Sequence, residues 1–231
     1  MKNILKKSFI DTIPVLTGYI VLGFGFGIIL KTSGYSIWLA IAMSVLIYAG
    51  SMQYVAVGLL TGGASILTTV LTTLMVNARH LFYGVSMLSK YSGTGKKKPY
   101  LIFSLTDETY SLLCSDNKYF SETKDLNNYY LFVSLFNQCY WILGTILGAV
   151  VGLIITFNTE GIDFALTALF ITVFVEQWLS TKNHFPALLG VLASVLCLLI
   201  FKPDNFLIPS MIIIAIVLCL YNKKEDADER K

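Results

Sequence analysis

The sequence predicts an all-α fold: a polytopic transmembrane helix bundle of about seven membrane segments plus one short helix. Three observations carry that reading. Of the 231 residues, 55% are hydrophobic and 13% are charged, whereas a soluble domain carries about 25% charged residues. The mean hydropathy is +0.70. The charges are also clustered: eight fall in the last nine positions, while 12–30, 32–78, 126–159 and 183–201 carry none. A hydrocarbon core about 30 Å thick needs about 20 apolar residues per helix. This excludes a soluble enzyme, a nucleic-acid binder and a disulfide-rich secreted domain. Long apolar runs without period-two alternation point to helices rather than a closed barrel.

Segment one covers about 12–30 and follows Lys2, Lys6 and Lys7. It is too long for the apolar core of a signal peptide, so it reads as a membrane segment. Segment two covers about 36–60, with Ala49-Gly50-Ser51 at its middle. Gly62-Gly63 then turns the chain into segment three, about 64–89. Residues 99–114 form a helix too short to span. They lie in a charged loop, 90–125, expected on the cytoplasmic side. Segment four is about 127–157, followed by about 162–180, 186–201 and 205–221 and a charged cytoplasmic tail, 222–231. The whole, 1–231, is expected to be one membrane domain.

Basic loops face the cytoplasm. Lys90, Lys96, Lys97 and Lys98 put the 90–125 loop there, and Lys223 and Lys224 put the tail there. Three full spans before residue 90 would leave Lys2, Lys6 and Lys7 outside. A second segment that breaks at Gly50-Ser51 and turns back would bring them inside. A faint internal repeat, halves 8–114 and 126–221, is marked by Tyr19, Gly23 and Gly27 against Tyr140, Gly144 and Gly148 at a constant offset of 121. Secondary transporters are often built from such repeats, with the substrate site where they meet.

Arg79 is the first candidate for chemistry. It lies 11 residues before Lys90, hence about 16 Å into the membrane along a helix. An Arg at that depth costs about 2.5–3.5 kcal/mol on insertion scales. The cost needs a water-filled cavity or a compensating partner, a carboxylate of the substrate or an internal one such as Asp107, Glu108 or Glu176. Arg79 shares a polar stripe with Ser65, Thr68, Thr72, Tyr83 and Ser86. His80 follows it and can carry a proton near neutral pH, or simply hydrogen-bond a neighbouring helix. Asp107 and Glu108 either face an inner cavity or open a solvated interfacial helix. The stretch Tyr48-Ala49-Gly50-Ser51-Met52-Gln53 either frees backbone groups at depth for a charged ligand or allows close helix packing. Asn127, Ser134, Gln138, Trp141 and Thr145 form a second polar stripe. There is no HExxH, no GxSxG, no Walker sequence and no His/Cys pair at metal spacing, so no metal and no cofactor are expected, and no enzyme. The four cysteines show no paired spacing.

These motifs together resemble a known family, the AzlC-type branched-chain amino-acid permeases. The likeness is carried by Asp11-Thr12-Ile13-Pro14 with Gly18-Tyr19, by Ile47 to Tyr54, by Asn77-Ala78-Arg79-His80-Leu81-Phe82-Tyr83-Gly84 and by Leu105-Thr106-Asp107-Glu108. Order and spacing agree over about 8–155. The resemblance implies a secondary exporter of branched-chain amino acids. It also implies a second, small AzlD-type membrane subunit, and no nucleotide. Its Arg-His and Asp-Glu motifs map onto Arg79-His80 and Asp107-Glu108. Joined to the residue reading, it suggests a substrate site of Arg79, Tyr48, Gly50, Ser51, Gln53, Asn77, Tyr83 and Trp141. His80, Asp107 and Glu108 serve there as proton-coupling or ion-pair groups. The rival expectation is an accessory subunit that folds or regulates a partner and moves nothing.

Overall fold

A computed structural model describes residues 1–114, 119–120, 123–154, 164, 168, 171, 174–175, 178–179, 183–201 and 206–228. The side chains of 78, 79, 81, 82, 207, 208, 211, 215 and 222–228 lie outside that description. The chain forms two units, Met1–Thr167 and Ala168–Lys231. Every described element is helical or a connecting turn.

The first unit is built on two long helices, α1 (Lys2–Thr32) and a later helix, Thr123–Val151. Among the described residues these two are long and apolar enough to cross a membrane. Between them come α2 (Ile37–Leu46), α3 (Gly50–Thr61), α4 (Ile66–Val76), α5 (Ala78–Met87), α6 (Lys98–Phe103) and α7 (Asp107–Cys114), so the later long helix is α8. The seven segments expected from hydropathy thus appear here as two full-length helices and shorter apolar ones. The expected segment at 162–180 lies largely outside the described residues.

α1 and α8 run parallel. Asp11 accepts from the Tyr129 hydroxyl at 2.7 Å, Thr12 meets the Tyr140 hydroxyl at 3.1 Å, and Tyr19 packs edge-on to Trp141 at 5.5 Å. Further along, Gly152 lies against Lys31. Glycines let the backbones touch. A Cβ on Gly23 would sit 2.7 Å from the Trp141 carbonyl, and one on Gly27 would sit 2.2 Å from that of Thr145. On the other side, a Cβ on Gly144 would sit 2.7 Å from the Ile20 carbonyl, and one on Gly148 would sit 1.9 Å from that of Phe24. Small residues four apart on both helices give membrane helices this close approach. The offset of 121 that relates their sequences is also the register in which they meet.

The second expected segment is broken, slightly before the expected point. α2 ends at Leu46 and α3 starts at Gly50. Tyr48 between them has a φ of 45°, a left-handed conformation that costs a non-glycine residue about 1–2 kcal/mol. The chain folds back there. In a continuous helix Ser44 and Gln53 would be about 13 Å apart along the axis, yet the Gln53 amide donates to the Ser44 hydroxyl at 3.1 Å. Both arms reach the same level of the long pair: Ser44 meets Thr145 at 2.9 Å, and the Tyr54 hydroxyl donates to the Leu22 carbonyl at 2.6 Å.

Two further breaks were not expected. Segment three is interrupted at Asn77, between α4 and α5. Residues 99–114, read as one short helix in a loop, belong to two helices parted by Ser104-Leu105-Thr106. They form a second hairpin, inserted from the N-terminal end. Lys97 bonds Asn128 near the start of α8, Thr109 accepts from Asn137 deeper along it, and the Leu113 and Cys114 carbonyls return to Lys90. Leu101, Leu105 and Leu113 are buried in a cluster with Ile4, Met87, Tyr91, Tyr129, Tyr130 and Val133. This cluster brings the N-terminus and the 90–114 segment to one end of the unit. The lysines at 2, 6, 7, 90, 96, 97 and 98 therefore share that end.

The second unit contains α9 (Phe185–Phe201) packed on α10 (Leu207–Asp228). Phe185 stacks on Tyr221 at 4.5 Å, and His184 stacks on Trp178 at 4.2 Å. Glu176 lies outside the described residues.

Candidate functional site

The two hairpin tips meet at the middle of the long pair. Tyr19 is 12 residues from both Lys7 and Lys31, about 18 Å from each along α1. Its hydroxyl donates to Glu108 Oε2 at 2.6 Å and lies 2.6 Å from the Thr106 hydroxyl. Thr106 caps α7, taking the Thr109 N–H at 3.3 Å, and its hydroxyl also bonds that of Thr109 at 2.9 Å. The Asn137 amide closes the chain by donating to Thr109 at 2.9 Å. Thr109 and Asn137 are fully buried, so this polar chain is held in the protein interior. Buried polar groups persist when they bond one another in this way.

The first hairpin brings the other half. The buried Tyr48 ring lies 6.3 Å from Phe103 of the second hairpin, and its hydroxyl faces Tyr19 and Thr106. The Trp141 indole donates to the Gln53 side-chain oxygen Oε1 at 2.9 Å. Gly50 is small because Trp141 lies on it: an added Cβ would be 2.8 Å from the indole Cη2. Ser51 is buried in the first turn of α3. Ala49, the N-cap of α3, supplies no side-chain cap. The starts of α3 and α7 thus converge. Both are the positive ends of helix dipoles, and Asp107 and Glu108 occupy the first turn of α7.

Gly50→Ala is expected to push Trp141 off α3 and break its bond to Gln53. Overpacking of this kind costs about 1–3 kcal/mol. The check is a lower unfolding temperature in detergent together with a shifted tryptophan emission, one of the three indoles being Trp141. Unchanged emission and stability would contradict the contact.

Of the residues expected at the site, Tyr48, Gly50, Ser51, Gln53, Trp141 and Glu108 come together here. Asp107 is half-buried beside Glu108. Tyr83 joins through α7, its ring stacked on Tyr110 at 4.6 Å, and His80 meets Tyr83 edge-on at 6.0 Å. His80 Nδ1 lies 3.3 Å from the Asn77 carbonyl. Asn77 sits at the break between α4 and α5, and its amide oxygen is buried without a hydrogen-bond partner among the described residues. The Arg79 backbone lies in the first turn of α5; its side chain lies outside the described residues. Tyr19, Thr106, Thr109 and Asn137 join this cluster by hydrogen bonds and were not among the expected site residues. Tyr19 enters the sequence reading as a marker of the repeat and of the family likeness, with no site role. Thr106, just ahead of two acidic residues, carries the helix-start signal that would have found the second tip.

The profile of the AzlC protein family matches residues 14–155, which include both hairpins. The branched-chain amino acid transport protein AzlC of Bacillus subtilis (strain 168) is 44% identical over 94% of this chain and 85% of its own. An uncharacterized membrane protein of Helicobacter pylori (strain ATCC 700392 / 26695) is 40% identical over 95% of each chain. The inner membrane protein YgaZ of Escherichia coli (strain K12) is 28% identical over 80% of this chain and 78% of its own. No solved structure matches.

Proposed function

The chain belongs to the AzlC family, and from that premise we propose that it is a secondary transporter subunit exporting branched-chain and related hydrophobic amino acids across the cytoplasmic membrane. The observation that carries this reading is the meeting of two broken hairpins halfway along α1 and α8, around the carboxylate of Glu108. Discontinuous helices with their N-termini at mid-membrane are how many transporters meet small charged cargo. The Bacillus subtilis relative is named for branched-chain amino acid transport, which supports the choice of cargo.

The cargo's ammonium group goes to Glu108, with the Tyr19 and Tyr48 hydroxyls as further acceptors. Its carboxylate goes to Arg79 and to the start of α3 at Gly50 and Ser51, where a helix N-terminus favours an anion. Tyr48, Tyr83 and Trp141 wall the aliphatic side chain, and Gln53 and Asn77 complete the lining. Such a wall separates one methylene by only about 1–3 kcal/mol, so leucine, isoleucine, valine and methionine overlap. His80 and Asp107 carry the coupling protons or pair with Arg79. The lysine-rich end, with the N-terminus and the 90–125 segment, faces the cytoplasm under the positive-inside bias; the tail lies there too. A small AzlD-type membrane subunit completes the transporter, and the halves 8–114 and 126–221 are repeats.

The test is reconstitution of the chain with its small partner in liposomes loaded with labelled leucine. Efflux that responds to an imposed pH gradient or membrane potential is expected. Arg79→Ala, at equal protein level, is expected to cut efflux at least about tenfold, the scale of a lost charged hydrogen bond; unchanged export refutes its role. Export by the small partner alone would make this chain an accessory subunit.

A further inference from the structure

Most polar side chains that α8 turns toward the hairpins hold one arm each. Thr145 meets Ser44 on α2, Trp141 holds Gln53 on α3, and Asn137 holds Thr109 on α7. Gln138 differs. Its Oε1 accepts from the Tyr100 hydroxyl on α6 at 2.7 Å, and its Nε2 donates to the Val45 carbonyl on α2 at 3.2 Å. Its side chain is thus hydrogen-bonded to both hairpins. It is 8% exposed, so water competes little for either bond. The Val45 carbonyl is in the last turn of α2, where the break before Gly50 removes the N–H that a continuous helix would supply. Gln138 supplies that donor from outside the hairpin. Both ends of one rigid amide are therefore committed, one to each hairpin.

We propose that Gln138 is a positioning residue that latches the two hairpins together over the mid-membrane centre. Opening the centre toward either face separates α2 from α6. The amide cannot follow both, so one of its bonds breaks in any opening. The latch rests on the transport reading for its purpose, but its mechanics can be read without any cargo. It acts on access to the centre rather than on the cargo itself.

The test uses the full chain with its native cysteines replaced and Ser51→Cys as reporter, monodisperse in detergent. The readout is the rate at which a water-soluble maleimide labels that thiol. Gln138→Leu is expected to raise the rate about tenfold, as loss of about one net hydrogen bond predicts. Gln138→Glu keeps the acceptor for Tyr100 and loses the donor for Val45. Tyr100→Phe removes the other bond and deletes a single hydroxyl, so it serves where Gln138 variants fail to fold. Each is expected to raise labelling, and the pair together no further than either alone, because a latch needs both bonds. A purely structural Gln138 would lower the unfolding temperature without changing labelling, which overturns the proposal. Independent, multiplying effects of Gln138→Glu and Tyr100→Phe overturn it as well. None of these readouts depends on which molecule is transported, so failure of the latch and failure of the export reading are told apart.

Discussion

Gly148→Leu is expected to leave almost no folded protein. A Cβ at Gly148 would lie 1.9 Å from the Phe24 carbonyl oxygen and 2.7 Å from the Phe24 Cα. Those atoms belong to the backbone of α1, so no rotamer change relieves the clash. The two helices must move apart by more than an ångström. Separation would also strain the Thr12–Tyr140 contact, the Tyr129–Asp11 bond and the Tyr19–Trp141 packing. Overpacking alone costs about 1–3 kcal/mol where side chains can adjust, and here they cannot. The loss is a large share of the about 5–15 kcal/mol by which a domain is stable. Gly27→Leu should behave alike, its Cβ facing the Thr145 carbonyl at 2.2 Å. Gly58→Ala is the control, with nothing within 4 Å of the added carbon. The measure is the monodisperse fraction of detergent-extracted protein. A Gly148→Leu protein as abundant and monodisperse as the Gly58→Ala one would refute the parallel glycine contact.

Glu108→Gln is expected to cut transport steeply while the protein stays folded. Glutamine keeps the shape and still accepts the Tyr19 hydroxyl, so the second hairpin tip survives. What disappears is the negative charge at the centre. A hydrogen bond to a charged group contributes about 1.5–3 kcal/mol, which corresponds to about 10- to 150-fold in rate or affinity. Flux should therefore fall by about two orders of magnitude at matched reconstitution. Tyr19→Phe removes a bond to the carboxylate and leaves the charge, so its loss should be smaller, about tenfold. Leucine counterflow in liposomes measures both. Full flux through the Glu108→Gln protein would remove the ammonium site from the reading.

Hydropathy made the long helices legible, because mostly apolar stretches within 31 and 29 residues are long enough to cross a hydrocarbon core. The glycine ladder was legible as small residues four apart. The break in segment two was half legible. Gly50-Ser51 marked it, but the turn itself lies at Tyr48, a residue whose type does not advertise a left-handed backbone. Gly50 is there for Trp141 instead, a contact across 91 positions that no local pattern records. The break at Asn77 carries no proline or glycine, so nothing local announced it. The second hairpin was hidden by its charges. Lysines on both sides made 90–125 read as a solvated loop, while Leu101, Leu105 and Leu113 bury themselves among α1 and α8. Tyr19 was invisible as a site residue for the same reason as Asn137: each becomes polar machinery only once a distant hairpin arrives beside it.

The glycine ladder has one more consequence. Gly23 and Gly27 face Gly144 and Gly148, and α8 is followed by Gly152 at the same spacing. Sliding α1 forward by four residues, about one 5.4 Å turn, would set Gly23 against Gly148 and Gly27 against Gly152. That slide would also press Tyr19 onto Gly144, and sliding the other way would press Tyr140 onto Gly23. A tyrosine just ahead of each ladder therefore resists a shift in either direction. The side chains that bridge the helices, Thr12 with Tyr140 and Tyr129 with Asp11, add to that resistance. The smooth surfaces supply close approach, and the aromatic rings with their hydroxyl groups supply the notch that makes one seating unique.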